Sequence, residues 1–302
     1  METSIPNAII TFPMFGNGFA ITAPGTYTIF GLTLHWYGAI IAIGFLLAVI
    51  YVNKRSKEFG LKQDDIIDML ICAVPSAIVG ARLYYVIFYY SLYQDNFWSI
   101  FKIWDGGIAI YGAIIGGVIA VIVFCRVKKM PVGPFLDLGA FGLLIGQAIG
   151  RWGNFMNREA FGDITTVFCR MGLTDAYGKT YFVHPTFLYE SLWNLLGLLL
   201  LHLFSKLGKR RYDGQLFAMY IAWYGLGRMF IEGLRTDSLY LFSTGLRVSQ
   251  VLAGLCVVGA LVYLAINGSL PHDKSKMLVN IAQTQAAKAE ETSVNIKADE
   301  TK

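Results

Sequence analysis

Seven long hydrophobic stretches alternate with polar segments along the chain. They cover about residues 33–53, 66–90, 107–126, 134–151, 186–205, 214–232 and 246–267. Each is close to the roughly 20 residues that an α-helix needs to cross about 30 Å of hydrocarbon. A segment inside lipid must satisfy its backbone hydrogen bonds internally, which favours helices. The pattern therefore predicts an all-α integral membrane protein with about seven transmembrane helices.

Composition agrees with this pattern, because 55% of the 302 residues are hydrophobic and only 15% are charged. The mean hydropathy is +0.53, which is more apolar than an ordinary soluble domain. We expect a membrane domain over residues 1–269, with an extracytoplasmic loop at about 152–185. Residues 270–302 are rich in Ala, Gln, Glu and Lys, and predict a cytoplasmic tail that is disordered or weakly helical. The start of the chain has no basic segment before its apolar residues and predicts no cleavable signal peptide.

Basic residues are distributed unevenly between the two sets of loops. Eleven follow the first, third and fifth stretches: Lys54, Arg55, Lys57, Lys62, Arg126, Lys128, Lys129, Lys206, Lys209, Arg210 and Arg211. The opposite loops carry six: Lys102, Arg158, Arg170, Lys179, Arg235 and Arg247. The positive-inside rule therefore predicts an extracytoplasmic N-terminus and a cytoplasmic C-terminus. The net charge of +5 follows from this asymmetry and gives no reason to expect nucleic acid as a partner.

Polar and ionisable residues recur near one end of six of the seven stretches. They are Tyr37, Arg82, Tyr111, Gln147, Arg151, His184, Glu190, Tyr224, Arg228, Glu232 and Arg235. The predicted orientation places all of them in the outer half of the membrane. A charge near the bilayer centre costs about 2.5–3.5 kcal/mol on insertion scales, so such residues indicate a functional site. An arginine that only reaches toward the headgroups is the alternative for any one of them.

Helical spacing places four of these residues on one stripe, since Tyr224, Arg228, Glu232 and Arg235 fall at i, i+4, i+8 and i+11. Arg228 and Glu232 could simply form a self-neutralising ion pair. Glycines repeat at four-residue intervals in the third and fourth stretches and predict close helix packing. Single cysteines without CxxC spacing predict packing residues, and we expect no metal or cofactor.

Several arginines at one depth suit a phosphate, because a guanidinium donates two parallel hydrogen bonds to phosphate oxygens. In a membrane the abundant phosphates are lipid headgroups. Chemistry on a headgroup would make the protein an enzyme, whereas movement or retention of the lipid would make it a transporter or a lipid-binding protein. An intramembrane protease is disfavoured, because Ser91 and Ser191 lie in no nucleophile turn and no pair of Asp lies within a stretch.

The segment Gly146-Gln147-Ala148-Ile149-Gly150-Arg151-Trp152-Gly153-Asn154-Phe155-Met156-Asn157-Arg158-Glu159 resembles the signature of the bacterial prolipoprotein diacylglyceryl transferases. The similarity extends, in the family's order, to His35-Trp36-Tyr37-Gly38, Gly80-Ala81-Arg82, Trp104-Asp105-Gly106-Gly107, His184-Pro185, Leu188-Tyr189-Glu190 and Tyr224-Gly225 with Arg228, Glu232 and Arg235. It covers about residues 30–265.

This resemblance implies a reaction in the bacterial cytoplasmic (inner) membrane, with the active site toward the outer leaflet. The family transfers the diacylglyceryl group of phosphatidylglycerol to the thiol of the lipobox cysteine in a prolipoprotein signal peptide, forming a thioether and releasing glycerol phosphate. Only the thiolate attacks, so the thiol must lose a proton.

The resemblance also assigns expected roles to individual residues. Arg151 matches the signature arginine and is the first candidate for the phosphate ligand, with Arg228 as the second. The other expected substrate-binding residues are Asn154, Asn157, Glu159, Arg82, Tyr111, Glu190 and Arg235. The two asparagines would hold glycerol hydroxyls or orient Arg151, and the carboxylates of Glu159, Glu190 and Glu232 would orient arginines. Tyr37, Tyr224 and His184 are the candidates to relay the thiol proton.

One position departs from the family pattern. Many members carry His-Gly-Gly at the start of the third stretch, where this chain has Tyr111-Gly112-Ala113. A tyrosine with an ordinary pKa near 10 is a poor general base at neutral pH. We therefore expect Tyr111 to position the substrate, and a base, if one acts, to lie elsewhere.

Overall fold

The computed structural model describes residues 5, 8–16, 19–22, 25–29, 32–94, 96–236 and 247–300. Its α-helices are α1 (Trp36–Arg55), α2 (Gln63–Phe88), α3 (Ile110–Val127), α4 (Val132–Asn157), α5 (Thr186–Lys206), α6 (Gln215–Glu232), α7 (Val248–Ser269) and α8 (Leu278–Glu300). Each predicted hydrophobic stretch coincides with one of α1–α7. The prediction of an all-α integral membrane protein is confirmed, since helices dominate and the described part contains six that are long and apolar enough to cross a membrane.

Helix α6 is not among those six, although it has the same length as α3. It carries Gln215, Arg228 and Glu232, and these polar residues lower its hydropathy. A seventh transmembrane helix and the orientation of the termini therefore stay predictions.

Short strands add to the helices. They are β1 (Ile9–Thr11), β2 (Ala20–Ile21), β3 (Thr26–Ile29), β4 (Leu32–His35), β5 (Met171–Thr174) and β6 (Thr180–Val183). One antiparallel sheet has the order β2-β1-β5-β6, and β3 pairs with β4 in a separate hairpin. The segment 152–185, predicted as a loop, therefore contains the end of α4 and the hairpin β5-β6.

The chain divides into two compact units. The first comprises Met1–Val52, Gly139–Arg211 and Gln215–His272, and the second comprises Asn53–Leu138, Tyr212–Gly214 and Asp273–Lys302. In the first unit, α5 and α6 are joined by Trp193 and Trp223. Their rings stack with centroids 4.3 Å apart, and each indole N–H donates to the other's backbone carbonyl at 2.9 Å. This reciprocal contact fixes the register between α5 and α6.

The sheet of the first unit covers a buried apolar cluster next to the end of α4. Its members are Ala8, Ile10, Phe12, Phe155, Phe161, Met171, Leu173, Val183 and Phe187. Ile10 on β1 pairs with Leu173 on β5, and both are fully buried. Burial of each such side chain contributes about 1.5–3 kcal/mol. The sheet is thereby attached to the first turn of α5 and the last turns of α4.

In the second unit, glycines allow α2 and α3 to pack closely, as the sequence predicted. A Cβ atom at Gly80 would lie 2.4 Å from the carbonyl oxygen of Gly112, and one at Gly116 would lie 2.3 Å from that of Ser76. No side chain fits at these distances. Substitution of either glycine would push the two helices apart.

The C-terminal segment begins at the loops of the second unit. Met277 is buried, and the Leu278 N–H donates to the Asp213 carboxylate at 2.9 Å, which caps the start of α8. Gly60, with φ +74°, lies against the same turn, because a Cβ there would be 2.6 Å from the Val279 nitrogen. The structure has the helix α8 over Leu278–Glu300, within the segment predicted as a tail.

Candidate active site

Glu190 on α5 lies among three arginines in the first unit. Its carboxylate is 2.6 Å from Arg151 on α4, 3.4 Å from Arg228 on α6 and 3.4 Å from Arg235, which follows α6. Glu190 is 4% exposed, whereas the side chains of Arg151 and Arg228 are 20% and 18% exposed. A buried carboxylate thus holds three guanidiniums together, and two of these remain partly accessible.

Glu232 is the second carboxylate of this cluster, and it is 2% exposed. It lies 2.5 Å from Arg228 and 4.0 Å from Arg235. The ion pair between Arg228 and Glu232, which their spacing offered as an alternative, is present. It is not self-contained, since Arg228 also reaches Glu190. Three arginines face two glutamates, which leaves the cluster with a formal charge of +1 if all five residues are ionised.

The polar residues at the end of α4 form a chain that leads to Arg151. Glu159 Oε1 accepts hydrogen bonds from Asn154 Nδ2 at 2.8 Å and from Asn157 Nδ2 at 3.3 Å. The Asn154 Oδ1 in turn accepts a hydrogen bond from Arg151 Nη1 at 3.4 Å. The structure thus brings the side chains of Asn154, Asn157 and Glu159 together, and these contacts support the orientation of Arg151, while a role in holding glycerol hydroxyls stays a prediction.

The two tyrosines that are candidates for the proton relay lie on helices of the same unit. Tyr37, at the start of α1, packs its ring against α4 at Gly153, where a Cβ atom would lie 2.7 Å from the ring. Tyr224, one turn before Arg228, stacks on Tyr220 with ring centroids 5.9 Å apart. Gly153 thus allows Tyr37 to approach the helix that carries Arg151.

His184 forms a small cluster with Tyr189 and Cys169. Its Nδ1 is 3.3 Å from the Tyr189 hydroxyl, and the Cys169 thiol is 3.4 Å from the same hydroxyl. Burial lowers the pKa of His184, and Asp163 opposes this effect. The sequence predicts no role for Tyr189, and it predicts Cys169, like the other single cysteines, as a packing residue. The sequence signal that points to Tyr189 is the motif Leu188-Tyr189-Glu190, in which it directly precedes Glu190.

Arg158 is a second functional candidate for which the sequence predicts no role. It is 2% exposed, its Nε donates to the Ala8 carbonyl at 3.1 Å, and its Nη1 donates to the Met156 carbonyl. Burial lowers the pKa of its guanidinium. Arg158 lies within the signature segment 146–159. Its contact with Ala8 could not be predicted from sequence, because the two residues are 150 positions apart.

The second unit contains the other two predicted substrate-binding residues. Arg82 on α2 is buried and donates to four backbone carbonyls, those of Ser99, Ile100, Gly106 and Gly107, at 2.6–2.8 Å. Its guanidinium also lies over the ring of Tyr93. These contacts occupy the Arg82 donors that a phosphate would need. They support a role in holding the segment between α2 and α3, and the substrate-binding role expected for Arg82 stays a prediction.

Tyr111 is half-buried in the first turn of α3, and its ring lies 6.4 Å from that of Tyr84 on α2. A tyrosine ring packed in this way can orient a neighbour or contact an acyl chain. Among the described residues, no group of three or more His, Cys, Asp or Glu side chains is arranged to hold a metal ion.

The cluster around Glu190 has the properties of an anion site with a built-in counter-ion. Guanidiniums stay protonated at any relevant pH and present paired donors to carboxylate or phosphate oxygens. A phosphate that approaches Arg151 and Arg228 competes with the Glu190 carboxylate for the same N–H groups. Such a site can stabilise negative charge on a departing phosphate.

Comparison with known proteins identifies relatives over most of the chain. The family model described as prolipoprotein diacylglyceryl transferase matches residues 24–266. The phosphatidylglycerol–prolipoprotein diacylglyceryl transferase of Limosilactobacillus reuteri is 46% identical over 241 residues, covering 78% of this chain and 87% of the relative. The enzymes of that name from Enterococcus faecalis and Listeria innocua are 43% and 41% identical, with 82% and 89% of this chain and 91% and 99% of the relatives covered. The chain therefore belongs to the prolipoprotein diacylglyceryl transferase family.

Proposed function

We propose that this membrane transferase moves the diacylglyceryl group of phosphatidylglycerol to the lipobox cysteine of prolipoprotein signal peptides. The observation that carries the proposal is the position of Glu190 among Arg151, Arg228 and Arg235. The relatives from Limosilactobacillus reuteri and Listeria innocua, which align with 78% and 89% of this chain, carry phosphatidylglycerol and prolipoprotein in their names.

In the proposed reaction the lipobox thiolate attacks the glyceryl carbon that carries the phosphate ester. A carbon–sulfur bond forms, the carbon–oxygen bond to phosphate breaks, and glycerol phosphate leaves with the bond's electron pair. Arg151 and Arg228 bind the phosphate and stabilise the charge that develops on it, an effect typically worth about 2.7–4 kcal/mol for one donor. Arg235, Glu190 and Glu232 hold these two guanidiniums in place.

The residues beyond α4 refine the position of Arg151. Glu159 fixes the amides of Asn154 and Asn157, and Asn154 contacts Arg151. One further hydrogen bond from a glycerol hydroxyl to an asparagine is compatible with these contacts.

The thiol proton needs an acceptor, for which Tyr37, Tyr224 and His184 are the candidates. Only a neutral imidazole can accept a proton, and the lowered pKa of His184 keeps it neutral at pH 7. Its Nδ1 lies 3.3 Å from the Tyr189 hydroxyl, and Nε2 is the accepting atom in the tautomer whose Nδ1–H donates to that oxygen.

The site faces the outer leaflet of the bacterial cytoplasmic membrane in this proposal. The support is the excess of Lys and Arg after the first, third and fifth hydrophobic stretches. The C-terminal segment from residue 270 would then lie in the cytoplasm.

One experiment separates the enzyme from a phospholipid transporter or a lipid-binding protein that uses the same arginines. Purified protein in detergent is incubated with phosphatidylglycerol and a lipobox peptide, and the peptide is weighed by mass spectrometry. We expect a gain of one diacylglyceryl group on the cysteine, and none on a peptide with Ser in place of Cys. An unmodified peptide, together with exchange of labelled lipid between leaflets of proteoliposomes, would select the transporter.

A further inference from the structure

We propose that Arg158 is a positioning residue, which locks the loop after α4 to the N-terminal strand so that Glu159 can align Asn154 and Arg151. The expected effect of Arg158 on the transfer rate rests on the proposed function. The contacts that Arg158 makes lie within the first unit and can be tested without measuring transfer.

The backbone on both sides of Glu159 is unusual. Arg158 has φ +52° and Ala160 has φ +56°, so two non-glycine residues adopt the left-handed region. This region favours glycine, and other residues remain there only when surrounding contacts hold them. The conformation turns the Glu159 N–H onto the Asn154 carbonyl at 3.1 Å and its carboxylate onto the Asn154 and Asn157 amides.

The guanidinium of Arg158 supplies contacts that hold this turn. Its donors bind the carbonyls of Ala8 and Met156, and the Arg158 carbonyl accepts a hydrogen bond from the Ile5 N–H at 3.2 Å. Ala8 is 1% exposed and directly precedes β1, which pairs with β5. The loop is thereby tied to a four-stranded sheet and not only to its own helix.

An arginine is the costly choice at this position, which argues for a specific use. Glycine would suit the backbone better, and a small side chain would avoid the desolvation of a buried guanidinium. The loss of either hydrogen bond in a fully buried site would leave a carbonyl or a guanidinium donor unsatisfied. The Arg158 side chain carries these penalties, and it is the side chain that joins Ala8 to the turn around Glu159.

The test compares Arg158→Gly and Arg158→Lys with Ala160→Gly. Arg158→Gly removes both the backbone strain at this residue and the contacts of the guanidinium. Ala160→Gly removes backbone strain alone, which makes it the matched control. Amide hydrogen exchange of residues 8–12 and of the Glu159 amide is measured in nanodiscs. We expect at least a 10-fold faster exchange at both places in Arg158→Gly, a smaller change in Arg158→Lys, and none in Ala160→Gly.

Transfer kinetics then test whether Arg158 acts through Glu159. We expect kcat/KM for phosphatidylglycerol to fall about 10- to 100-fold in Arg158→Gly, as for loss of a charged hydrogen bond. The double variant of Arg158→Gly with Glu159→Ala should be no slower than Glu159→Ala alone. If the two losses multiply, Arg158 contributes only general stability and the positioning role is wrong.

The structural and functional outcomes can be told apart. Unchanged exchange at residues 8–12 and 159 in Arg158→Gly overturns the proposal, whatever the activity. A wild-type protein that transfers nothing overturns the proposed function. The exchange data still test whether Arg158 holds the turn around Glu159 to residues 8–12.

Discussion

Arg151 Nη2 lies 2.6 Å from Glu190 Oε2, so a carboxylate already occupies the donors that a lipid phosphate would use. The pair joins α4 to α5, and Glu190 extends it to Arg228 on α6. A buried ion cluster of this kind contributes little net stability, because desolvation offsets the attraction between the charges. Its value lies in holding guanidiniums at fixed positions before the substrate arrives, which lowers the reorganisation needed during reaction.

Arg151→Ala and Arg228→Ala should each abolish most transfer while the protein still inserts and folds. Loss of a charged donor to the departing phosphate should cost about 2–4 kcal/mol, or roughly 30- to 1000-fold in rate. Lys at either position should restore activity only in part, because it lacks the paired donors of the guanidinium. Lipobox-peptide transfer and a thermal melt of the same preparations provide the measurement. A folded Arg151→Ala protein with near-normal turnover would contradict the assignment.

Arg82→Lys should destabilise the protein without changing the apparent affinity for lipid. Lysine cannot reproduce four hydrogen bonds to Ser99, Ile100, Gly106 and Gly107, and the unsatisfied carbonyls should cost at least about 2 kcal/mol. The melting midpoint should fall, with KM for phosphatidylglycerol within about twofold of wild type. A large rise in KM with an unchanged midpoint would instead support substrate binding by Arg82.

The stability of the protein should fall on the acid side because of His184. Its pKa is lowered in the folded state, so below about pH 6.5 the unfolded chain binds a proton that the folded chain does not. The contribution of neutral His184 to the free energy of unfolding is therefore fully present above about pH 6.5. It is lost as the pH falls toward the pKa of His184 in the folded protein. Melting midpoints between pH 8 and 5 should show this loss, and His184→Gln should reduce it. An identical pH slope in His184→Gln would remove His184 as the cause.

The orientation can be tested by cysteine labelling in cells. A cysteine at Tyr177, which is exposed in the β5-β6 turn, should react with an impermeant thiol reagent added from outside, in spheroplasts if an outer membrane intervenes. A cysteine at Leu207, exposed after α5, should react only after permeabilisation. The reverse pattern would refute the orientation and the outward-facing site.

The helices could be predicted from sequence because a stretch of about 20 apolar residues is a strong and local signal. The strands could not, since β1, β2 and their partners have two to four residues and show no readable alternation. The end of α4 was placed at 151 and lies at Asn157, because polar residues there interrupt the hydrophobic pattern but not the helix.

The members of the arginine cluster were predicted, but their arrangement depends on tertiary packing. The stripe from Tyr224 to Arg235 follows from helical spacing, whereas the central place of Glu190 requires α5 to meet both α4 and α6. That register is set by contacts such as the Ser191 hydroxyl donating to the Ala148 carbonyl at 2.9 Å. For the same reason, the four carbonyl partners of Arg82 come from a segment with no regular pattern and could not be anticipated.

Tyr111 provides the last prediction, because this chain has tyrosine where many family members have histidine. If the hydroxyl were the general base, Tyr111→Phe should lose about 10²–10⁴-fold in rate. If the ring packs near Tyr84 and orients a neighbour, Phe should keep at least about a tenth of the rate, since a neutral hydrogen bond is worth roughly 0.5–1.5 kcal/mol. We expect the second result. Tyr111→His is the companion variant, and a faster rate near pH 7 would show that a titratable base still helps at this position. A Phe variant that folds and binds phosphatidylglycerol normally, yet transfers nothing, would make the hydroxyl essential.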